Sequence, residues 1–348
     1  MLKSRMNYSA LAVKVRSMYG KRLKHEDYMK MASMQSMADI AVYLQQHPGW
    51  AEGLRGFHAA GTNRAFLIDR LHRIESENYA KLFYYMSKND KEIMQFPVVE
   101  AEMEQVMAFM RLAAAERSNE YNCTLPPYYV RHSDINYREL SEAEDYAGLL
   151  SAVRGADFQN ALARIAPADG SFPPYAQVEI IMQGYYYRKV FNLAQNSYRG
   201  RDRDLLIRSF GQQIDLINII HTLRIKRSLS RQADMLFLYL LPIYYKLKPS
   251  FFKDLFAAED VEEENEFLGG SSYGKLFTQN RFPHWEDYYY RLMHDFHRRQ
   301  ISMGKPSVLS AVSYLFLKKI EMRNVIRVIE SVYYQFPPSQ MASRLLFV

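Results

Sequence analysis

Residues 215–224 read DLINIIHTLR, and the same ten-residue pattern returns at residues 102–111 (EMEQVMAFMR) and 321–330 (EMRNVIRVIE). In every copy the positions one, four, five and eight residues after the first are apolar, which places them on one face of a helix. The copies begin 113 and 106 residues apart in a chain of 348 residues. This spacing predicts a threefold internal repeat, with one unit in each third of the chain.

A polar pair sets these three helices, which we call the anchor helices, apart from ordinary amphipathic ones. The first residue of each copy is an acid and the fourth is an amide: Glu102 and Gln105, Asp215 and Asn218, and Glu321 and Asn324. The six residues could form a polar ring that faces a partner, or they could satisfy buried polar groups at helix junctions. We favour the structural role, because polar groups at a buried edge need hydrogen-bond partners.

The rest of the chain also has the helical period, and no strand pattern competes with it. There are 27 Tyr, 20 Phe and 18 Met beside only 15 Gly. We predict an all-α fold of three similar helical domains, residues 1–120, 121–233 and 234–348. Further helices are predicted at residues 8–18, 28–46 and 64–86. Aromatic clusters at residues 83–85, 185–187 and 288–290 are predicted to fill helix interfaces.

Composition narrows the class of protein. The longest apolar run, residues 235–245, has eleven residues and contains Pro242, whereas a membrane helix needs about twenty. It is predicted to be the end of a buried helix. The first twenty residues lack the pattern of a secretory signal. A single cysteine, Cys123, cannot form an internal disulfide and agrees with a reducing compartment. We therefore expect a cytoplasmic protein.

Charge is distributed unevenly, although the net charge is only +7. Residues 199–231 contain eight Lys or Arg and three Asp, and residues 253–266 contain seven acids and one Lys. Such patches favour oriented docking onto charged protein surfaces. Nucleic acid is the rival partner for the basic segment, but no nucleic-acid-binding motif accompanies it. We therefore predict no nucleic-acid partner.

Two motifs resemble chemical sites but lack necessary features. Residues 269–276 (GGSSYGKL) have the spacing of a phosphate-binding P-loop, but Leu276 replaces the hydroxyl residue and an acidic stretch precedes them. We predict instead that these residues form a flexible Gly-Ser loop. His294 and His297, with His284, would suit a metal only if further ligands converged on them. Their charged surroundings favour a solvated helix face. We predict no catalytic residue, no cofactor and no metal.

Several segments carry a resemblance to one family. Residues 215–219 and 223–226 resemble a segment of the C subunit of the prokaryotic V-type (A-type) rotary ATPases that contains an acid, an asparagine and an arginine-lysine pair. The eukaryotic counterpart of that subunit is the d subunit. Residues 321–327, continuing to YQFPP at 334–338, resemble that family's carboxyl-terminal helix and tail. Residues 8–16 (YSALAVKVR) resemble its amino-terminal helix. Gln105 departs from the family pattern, in which asparagine is commoner.

The resemblance implies a funnel-shaped, all-helical protein with pseudo-threefold symmetry and no catalytic site. Such a protein is a socket in the central stalk, on the cytoplasmic face of the membrane. It would bind the shaft made by the D and F subunits and the membrane rotor ring, with the membrane part of the stator as a further partner. It would couple ATP hydrolysis or synthesis to proton or sodium transport, without spanning the membrane itself.

Five basic residues are the candidates for partner contacts. They lie on the second and third anchor helices or just after them: Arg224, Lys226, Arg227, Arg323 and Arg327. Two alternatives stay open at this stage, an all-helical scaffold or adaptor outside any ATPase and a nucleic-acid-binding helical repeat. Salt-dependent RNA binding would favour the latter.

Overall fold

The fold consists of α-helices joined by turns and loops of different lengths. The computed structural model describes the backbone of residues 2–228, 233–282, 284–342 and 344–346. About 70 % of the chain is helical, and no strand occurs in these ranges. The predicted all-α class is therefore confirmed.

Eighteen α-helices are defined over the described residues. They are α1 Leu2–Gly20, α2 His25–Ala32, α3 Met37–Gln46, α4 Arg64–Phe83, α5 Lys88–Ile93, α6 Phe96–Ala113, α7 Pro127–His132, α8 Tyr137–Ser141, α9 Tyr146–Ala152, α10 Gln159–Ala163, α11 Tyr175–Ser197, α12 Gly200–Ser228, α13 Pro249–Ala257, α14 Val261–Gly270, α15 Gly274–Gln279, α16 Trp285–Met303, α17 Val308–Tyr333 and α18 Pro338–Ala342. Two 3₁₀ helices, Ser118–Glu120 and Ala233–Tyr239, lie between them.

The chain forms two compact units. Unit 1 contains residues 1–91, 126–128 and 290–348, and unit 2 contains residues 92–125 and 129–289. The anchor helix α17 is therefore in the same unit as the amino-terminal helices, while the anchor helices α6 and α12 are both in unit 2. The predicted boundaries after residues 120 and 233 stay a prediction.

The core of unit 1 surrounds α17. Helices α1, α2, α3 and α4 pack against α17, and α18 packs against its end. Trp50 and Met31 are fully buried there, together with Val325 and Ile329 from the apolar face of α17. The apolar stripe predicted for the third anchor helix is thus the side that meets residues from the beginning of the chain.

Unit 2 contains a core built on α6. This helix packs against α11, and its buried Val106 and Phe109 share a cluster with residues from α8, α9, α10 and α11. The second anchor helix, α12, packs against α11 and α13. The anchor helix α6 therefore packs against a helix that follows it in the chain, whereas α12 packs against one helix that precedes it and one that follows it.

Side-chain caps explain where several helices begin. Ser36, Asp145 and Asp260 precede α3, α9 and α14, and each accepts a hydrogen bond from the backbone N–H three residues later. Such a cap satisfies one of the free N–H groups of the first turn and stabilises the helix by about 1 kcal/mol. The cap at Ser36 also explains why residues 28–46, predicted as one helix, form parts of two.

The prediction that residues 269–276 form a Gly-Ser loop is wrong in its secondary structure. Gly269 and Gly270 are the last residues of α14, and Gly274 begins α15 after a tight turn. A Cβ atom on Gly274 would overlap the carbonyl oxygen of Gly269. Only glycine fits this close approach of two helix ends.

The predicted aromatic clusters pack differently from one another. Tyr186 and Tyr187 are buried in α11, and their rings meet edge to face with centroids 4.8 Å apart. Tyr288 is also buried and stacks on Trp285. Tyr84, by contrast, is 87 % exposed. The expectation of interface packing is wrong for Tyr84, because it follows the last residue of α4 and points into solvent.

Within the described residues, no helix combines the length and the apolar character needed to cross a bilayer. Residues 235–245, the longest apolar run, end a 3₁₀ helix at Tyr239 and continue without regular structure. Leu240 and Leu241 are buried, whereas Leu238 is 62 % exposed.

Candidate functional site

Glu102, the acid of the first anchor helix, holds a loop ahead of α8. Its Oε1 accepts hydrogen bonds from the backbone N–H of Asp134 at 2.7 Å and from Ser133 Oγ at 2.8 Å. The amide Gln105 accepts one hydrogen bond, from the hydroxyl of Tyr121 at 2.9 Å. Burial raises the pKa of the Glu102 carboxyl, although these hydrogen bonds act in the opposite direction.

Asp215 makes the same kind of contact in the second anchor helix. Its two carboxylate oxygens accept from the backbone N–H groups of Tyr245, Lys246 and Leu247, at 3.1, 2.8 and 3.3 Å. The hydroxyl of Tyr273 donates to Oδ2 at 2.8 Å. Burial is the largest influence on this side chain and raises its pKa despite the four donors.

The amide of the second anchor helix binds the main chain just before that segment. Asn218 Oδ1 accepts from Leu241 N at 2.7 Å, and Asn218 Nδ2 donates to Leu241 O at 3.1 Å. The side chain thus pairs with both polar groups of one residue. Asp215 and Asn218 together fasten residues 241–247, which lead into α13.

The third anchor helix repeats this arrangement with residues from both ends of the chain. Glu321 Oε1 accepts from Leu23 N at 3.0 Å and from Trp50 Nε1 at 3.1 Å. Its Oε2 accepts from Lys318 Nζ at 3.1 Å, and Nζ lies 3.5 Å from the centroid of the Trp50 ring. Leu23 precedes α2, so this carboxylate also fastens the segment before a short helix.

The amide of the third copy binds near the carboxyl terminus. Asn324 Oδ1 accepts from Leu346 N at 2.7 Å, and Asn324 Nδ2 donates to Leu346 O at 2.7 Å. All six acid and amide residues of the anchor helices are therefore hydrogen-bonded inside the chain. This geometry favours the structural role over a ring that faces a partner.

The basic candidates of the second anchor helix differ in exposure. Arg224 has a side chain 53 % exposed and forms an ion pair with Glu286. Lys226 Nζ lies 2.7 Å from Glu264 Oε1, and both side chains are only 8 % exposed. Nζ makes no hydrogen bond within the described residues, so this contact is ionic. Nothing in the sequence indicated that Lys226 is covered, because lysine on a basic segment normally reaches solvent.

The remaining candidates lie against aromatic rings or main-chain oxygens. The guanidinium of Arg227 lies 5.4 Å from the centroid of the Trp285 ring, and that of Arg323 lies 4.9 Å from the centroid of Tyr290. Arg327 donates to the carbonyl oxygen of Arg344. The five basic residues therefore occupy separate environments and do not form one continuous cluster in either unit.

His297 and Cys123 both lie in local structural environments. His297 is fully buried, its Nδ1 lies 2.9 Å from Ser313 Oγ, and its ring stacks on Phe316. Burial lowers the pKa of His297 to about 3. The solvated helix face predicted for His294 and His297 is therefore wrong for His297. Burial raises the pKa of the Cys123 thiol, and this residue packs against the unit 2 core.

Four arginines in unit 1 were missed by sequence reasoning. Arg16 lies near the end of α1 and Arg22 lies two residues after it. Arg298 and Arg299 lie near the end of α16, and all four arginines line one cleft. The adjacent Arg298 and Arg299 could have been noticed in the sequence as a basic pair. Their closeness to α1 could not, because only the fold brings α16 and α1 together.

Comparison with known proteins shows which family this chain is similar to in sequence. A family model described as ATP synthase (C/AC39) subunit matches residues 11–344. The C subunit of the A-type ATP synthase of Methanosarcina mazei is 24 % identical over 247 residues, which are 67 % of this chain and 62 % of that protein. The protein of the same name from Methanosarcina barkeri is 24 % identical over 258 residues, 70 % of this chain and 65 % of that protein. The matches thus span less than two thirds of either relative.

Proposed function

Because the chain belongs to the ATP synthase (C/AC39) subunit family, as its sequence motifs predicted, we propose that it is the central-stalk C subunit of an A-type or V-type ATP synthase. It acts as a socket that links the rotating shaft of the D and F subunits to the membrane rotor ring. The membrane part of the stator is a further neighbour. The family match over residues 11–344 carries this proposal.

The proposed role requires a stiff body, because a coupling piece must pass torque without yielding. The anchor carboxylates support this requirement. Asp215 accepts four hydrogen bonds and Glu321 accepts three. Each carboxylate joins a long helix to the segment before a shorter one, at residues 245–247 for Asp215 and at Leu23 for Glu321. Hydrogen bonds to a charged group contribute about 1.5–3 kcal/mol each. These joints therefore resist displacement of the short helices.

In this role the protein performs no reaction of its own. It couples ATP hydrolysis or synthesis in other subunits to proton or sodium transport, and it is peripheral on the cytoplasmic face of the membrane. Its partners bind by contacts between charged surfaces, which allow assembly to be reversed.

Arg224 and Arg227 are the strongest candidates for such contacts, and we keep Arg323 and Arg327 as further ones. Arg224 and Arg227 are both exposed at the end of α12, so a partner can reach them. Lys226 contributes in a different way, because its pair with Glu264 fixes this part of α12 to α14. Reversal of its charge would disturb the fold as well as any interface.

The test is affinity purification of the tagged protein from native membranes in mild detergent, with identification of the bound subunits. The wild type should retain shaft and ring subunits. The double variant Arg224→Glu with Arg227→Glu should retain at least about tenfold less, because like charges across an interface cost several kcal/mol. The matched control is Arg138→Glu with Arg188→Glu, which makes the same charge change at exposed sites on α8 and α11.

Circular dichroism of both double variants should match the wild type, which separates lost contacts from lost folding. If the wild type and both double variants recovered shaft and ring subunits equally, Arg224 and Arg227 would not be contact residues. The proposed function would still stand. Recovery of proteins unrelated to an ATPase would contradict the function itself and favour a helical adaptor.

A further inference from the structure

We propose that unit 1 contains a binding site for a small organic phosphate, in a cleft between the ends of α1 and α16. The cleft has a volume of about 500 Å³, and four of its nine lining residues are arginines, Arg16, Arg22, Arg298 and Arg299. None of the residues that line it in the described chain is a carboxylate. This inference does not depend on the proposed function.

Arg16 is held in place by main-chain oxygens and Arg22 by an aromatic ring. Arg16 donates from Nε to Ile301 O at 3.0 Å and from a terminal nitrogen to Gly304 O at 3.1 Å. Arg22 lies over the ring of Tyr19, with its Cζ 4.4 Å from the centroid. Carbonyl oxygens and ring faces carry only partial negative charge. These contacts orient the guanidinium groups without pairing either of them with a carboxylate.

The other two arginines have no acidic partner among the described residues. Arg298 and Arg299 are exposed, and no described carboxylate lies within ion-pair distance of either one. Arg291, two turns earlier on the same helix, is paired with Asp295 at 2.9 Å. The positive charge therefore accumulates at the end of α16, where the guanidinium groups of one cleft repel one another. An anion bound among them would remove this repulsion.

The chemistry of guanidinium groups selects phosphate among small anions. Arginine presents a planar fork of N–H donors that matches two oxygens of a phosphate, and such bonds are short and strong. Four such groups around one cleft suit a ligand with two or more phosphate groups.

A second cavity explains why we infer an organic phosphate. It has a volume of about 210 Å³ and shares Tyr19, Arg22 and Arg298 with the cleft. Its wall includes the buried side chains of Tyr28 and Asn324. It also includes the acids Asp295 and Glu321, which would repel a second group of phosphates. The aromatic rings of Tyr19 and Tyr28 suit the uncharged part of a ligand whose phosphates occupy the cleft, whereas the Asn324 amide is already paired with Leu346. Together the two volumes lie in the range of small-molecule sites, roughly 300–1,000 Å³.

The experiment measures binding to the full-length protein by isothermal titration calorimetry, with ADP and with inorganic pyrophosphate as probes. A parallel arm measures co-sedimentation with vesicles of phosphatidylcholine alone or with added phosphatidylglycerol. Binding of ADP or pyrophosphate identifies a free phosphate ligand, and binding only to the anionic vesicles identifies a lipid headgroup. Affinity should fall when salt is raised from about 50 to 300 mM, because salt screens exposed charges.

The decisive variant is Arg298→Gln with Arg299→Gln, and its matched control is Arg138→Gln with Arg188→Gln. Both lose two positive charges from exposed helix positions. We expect the first to weaken binding at least about tenfold, because each guanidinium makes charge-assisted bonds to the phosphate. The control should stay within about twofold, since it removes only distant charge. Absence of binding in every arm, or an equal loss in both variants, would overturn the proposal.

Discussion

Asn218 pairs with both main-chain polar groups of Leu241, accepting from its N–H at 2.7 Å and donating to its carbonyl at 3.1 Å. Asn324 forms the same two bonds with Leu346. Gln105, at the equivalent position of the first anchor helix, accepts a single bond from the hydroxyl of Tyr121. Asparagine at this position therefore fastens a chain segment, whereas glutamine makes a different contact.

We expect Asn218→Ala to lower the free energy of unfolding by about 2–4 kcal/mol, because it leaves both polar groups of Leu241 buried without partners. Gln105→Ala should cost only about 1–2 kcal/mol, since one bond is lost. Urea unfolding followed by circular dichroism measures both. Equal losses in the two variants would show that the paired bonds at Leu241 add nothing.

Much of this arrangement could be predicted from sequence, because it depends on local period. The helical class, the buried stripe and the acid and amide positions all follow from residue spacing. The segments that these side chains bind could not be predicted. The partners of Glu321 lie 298 and 271 residues away, at Leu23 and Trp50, and only tertiary packing brings them to α17. The burial of Lys226 was hidden for the same reason, since Glu264 lies on another helix.

The contribution of two buried histidines to stability should fall as the pH is lowered from about 6.5 to 4, because they resist protonation in the folded protein. Burial lowers the pKa of His221 to about 4 and that of His297 to about 3. In this window the unfolded chain binds protons that the folded chain does not, so each histidine removes about 1.4 kcal/mol of stability per pH unit. The stabilising contribution is complete above the unfolded pKa and is lost as the pH falls toward the folded pKa.

The variant His297→Phe should reduce the slope of unfolding free energy against pH by the contribution of one proton. The phenyl ring can keep the stack on Phe316, although Ser313 loses its partner and absolute stability falls. The control His58→Gln alters an exposed residue and should leave the slope unchanged. Thermal unfolding at a series of pH values measures the slope. An unchanged slope in His297→Phe would mean that this histidine is protonated in the folded protein.

Glu264→Gln should lower the free energy of unfolding by about 3–5 kcal/mol, because it leaves the charge of Lys226 buried without its counter-charge. The exposed pair of Arg138 and Glu142 is the matched comparison, and Glu142→Gln should cost less than about 0.5 kcal/mol. Replacement of the buried pair by Lys226→Met with Glu264→Leu should recover most of the loss. Urea unfolding measures the free energy of unfolding of the three variants. If Glu264→Gln and Glu142→Gln lowered it equally, the pair of Lys226 and Glu264 would not behave as a buried ion pair.

Glu321→Ala should release the segment before α2 from the third anchor helix. The carboxylate accepts from Leu23 N and Trp50 Nε1, so its loss leaves both donors without an acceptor. Local opening then requires less free energy, and amide hydrogen exchange around residues 21–24 should accelerate at least about tenfold. Hydrogen-exchange mass spectrometry measures this rate in peptides that cover the segment.

Glu330→Ala tests whether the effect is specific to the anchor position. Glu330 lies on the same helix and forms a partly exposed ion pair with Arg64 at 2.9 Å. Its loss should change exchange around residues 21–24 by less than about twofold, since exposed pairs contribute little. The variant Glu321→Gln separates shape from charge, because an amide oxygen can still accept from Leu23 while Lys318 loses its counter-charge. If Glu321→Ala and Glu330→Ala accelerated exchange equally, the carboxylate of Glu321 would not be what fastens the amino-terminal segment to α17.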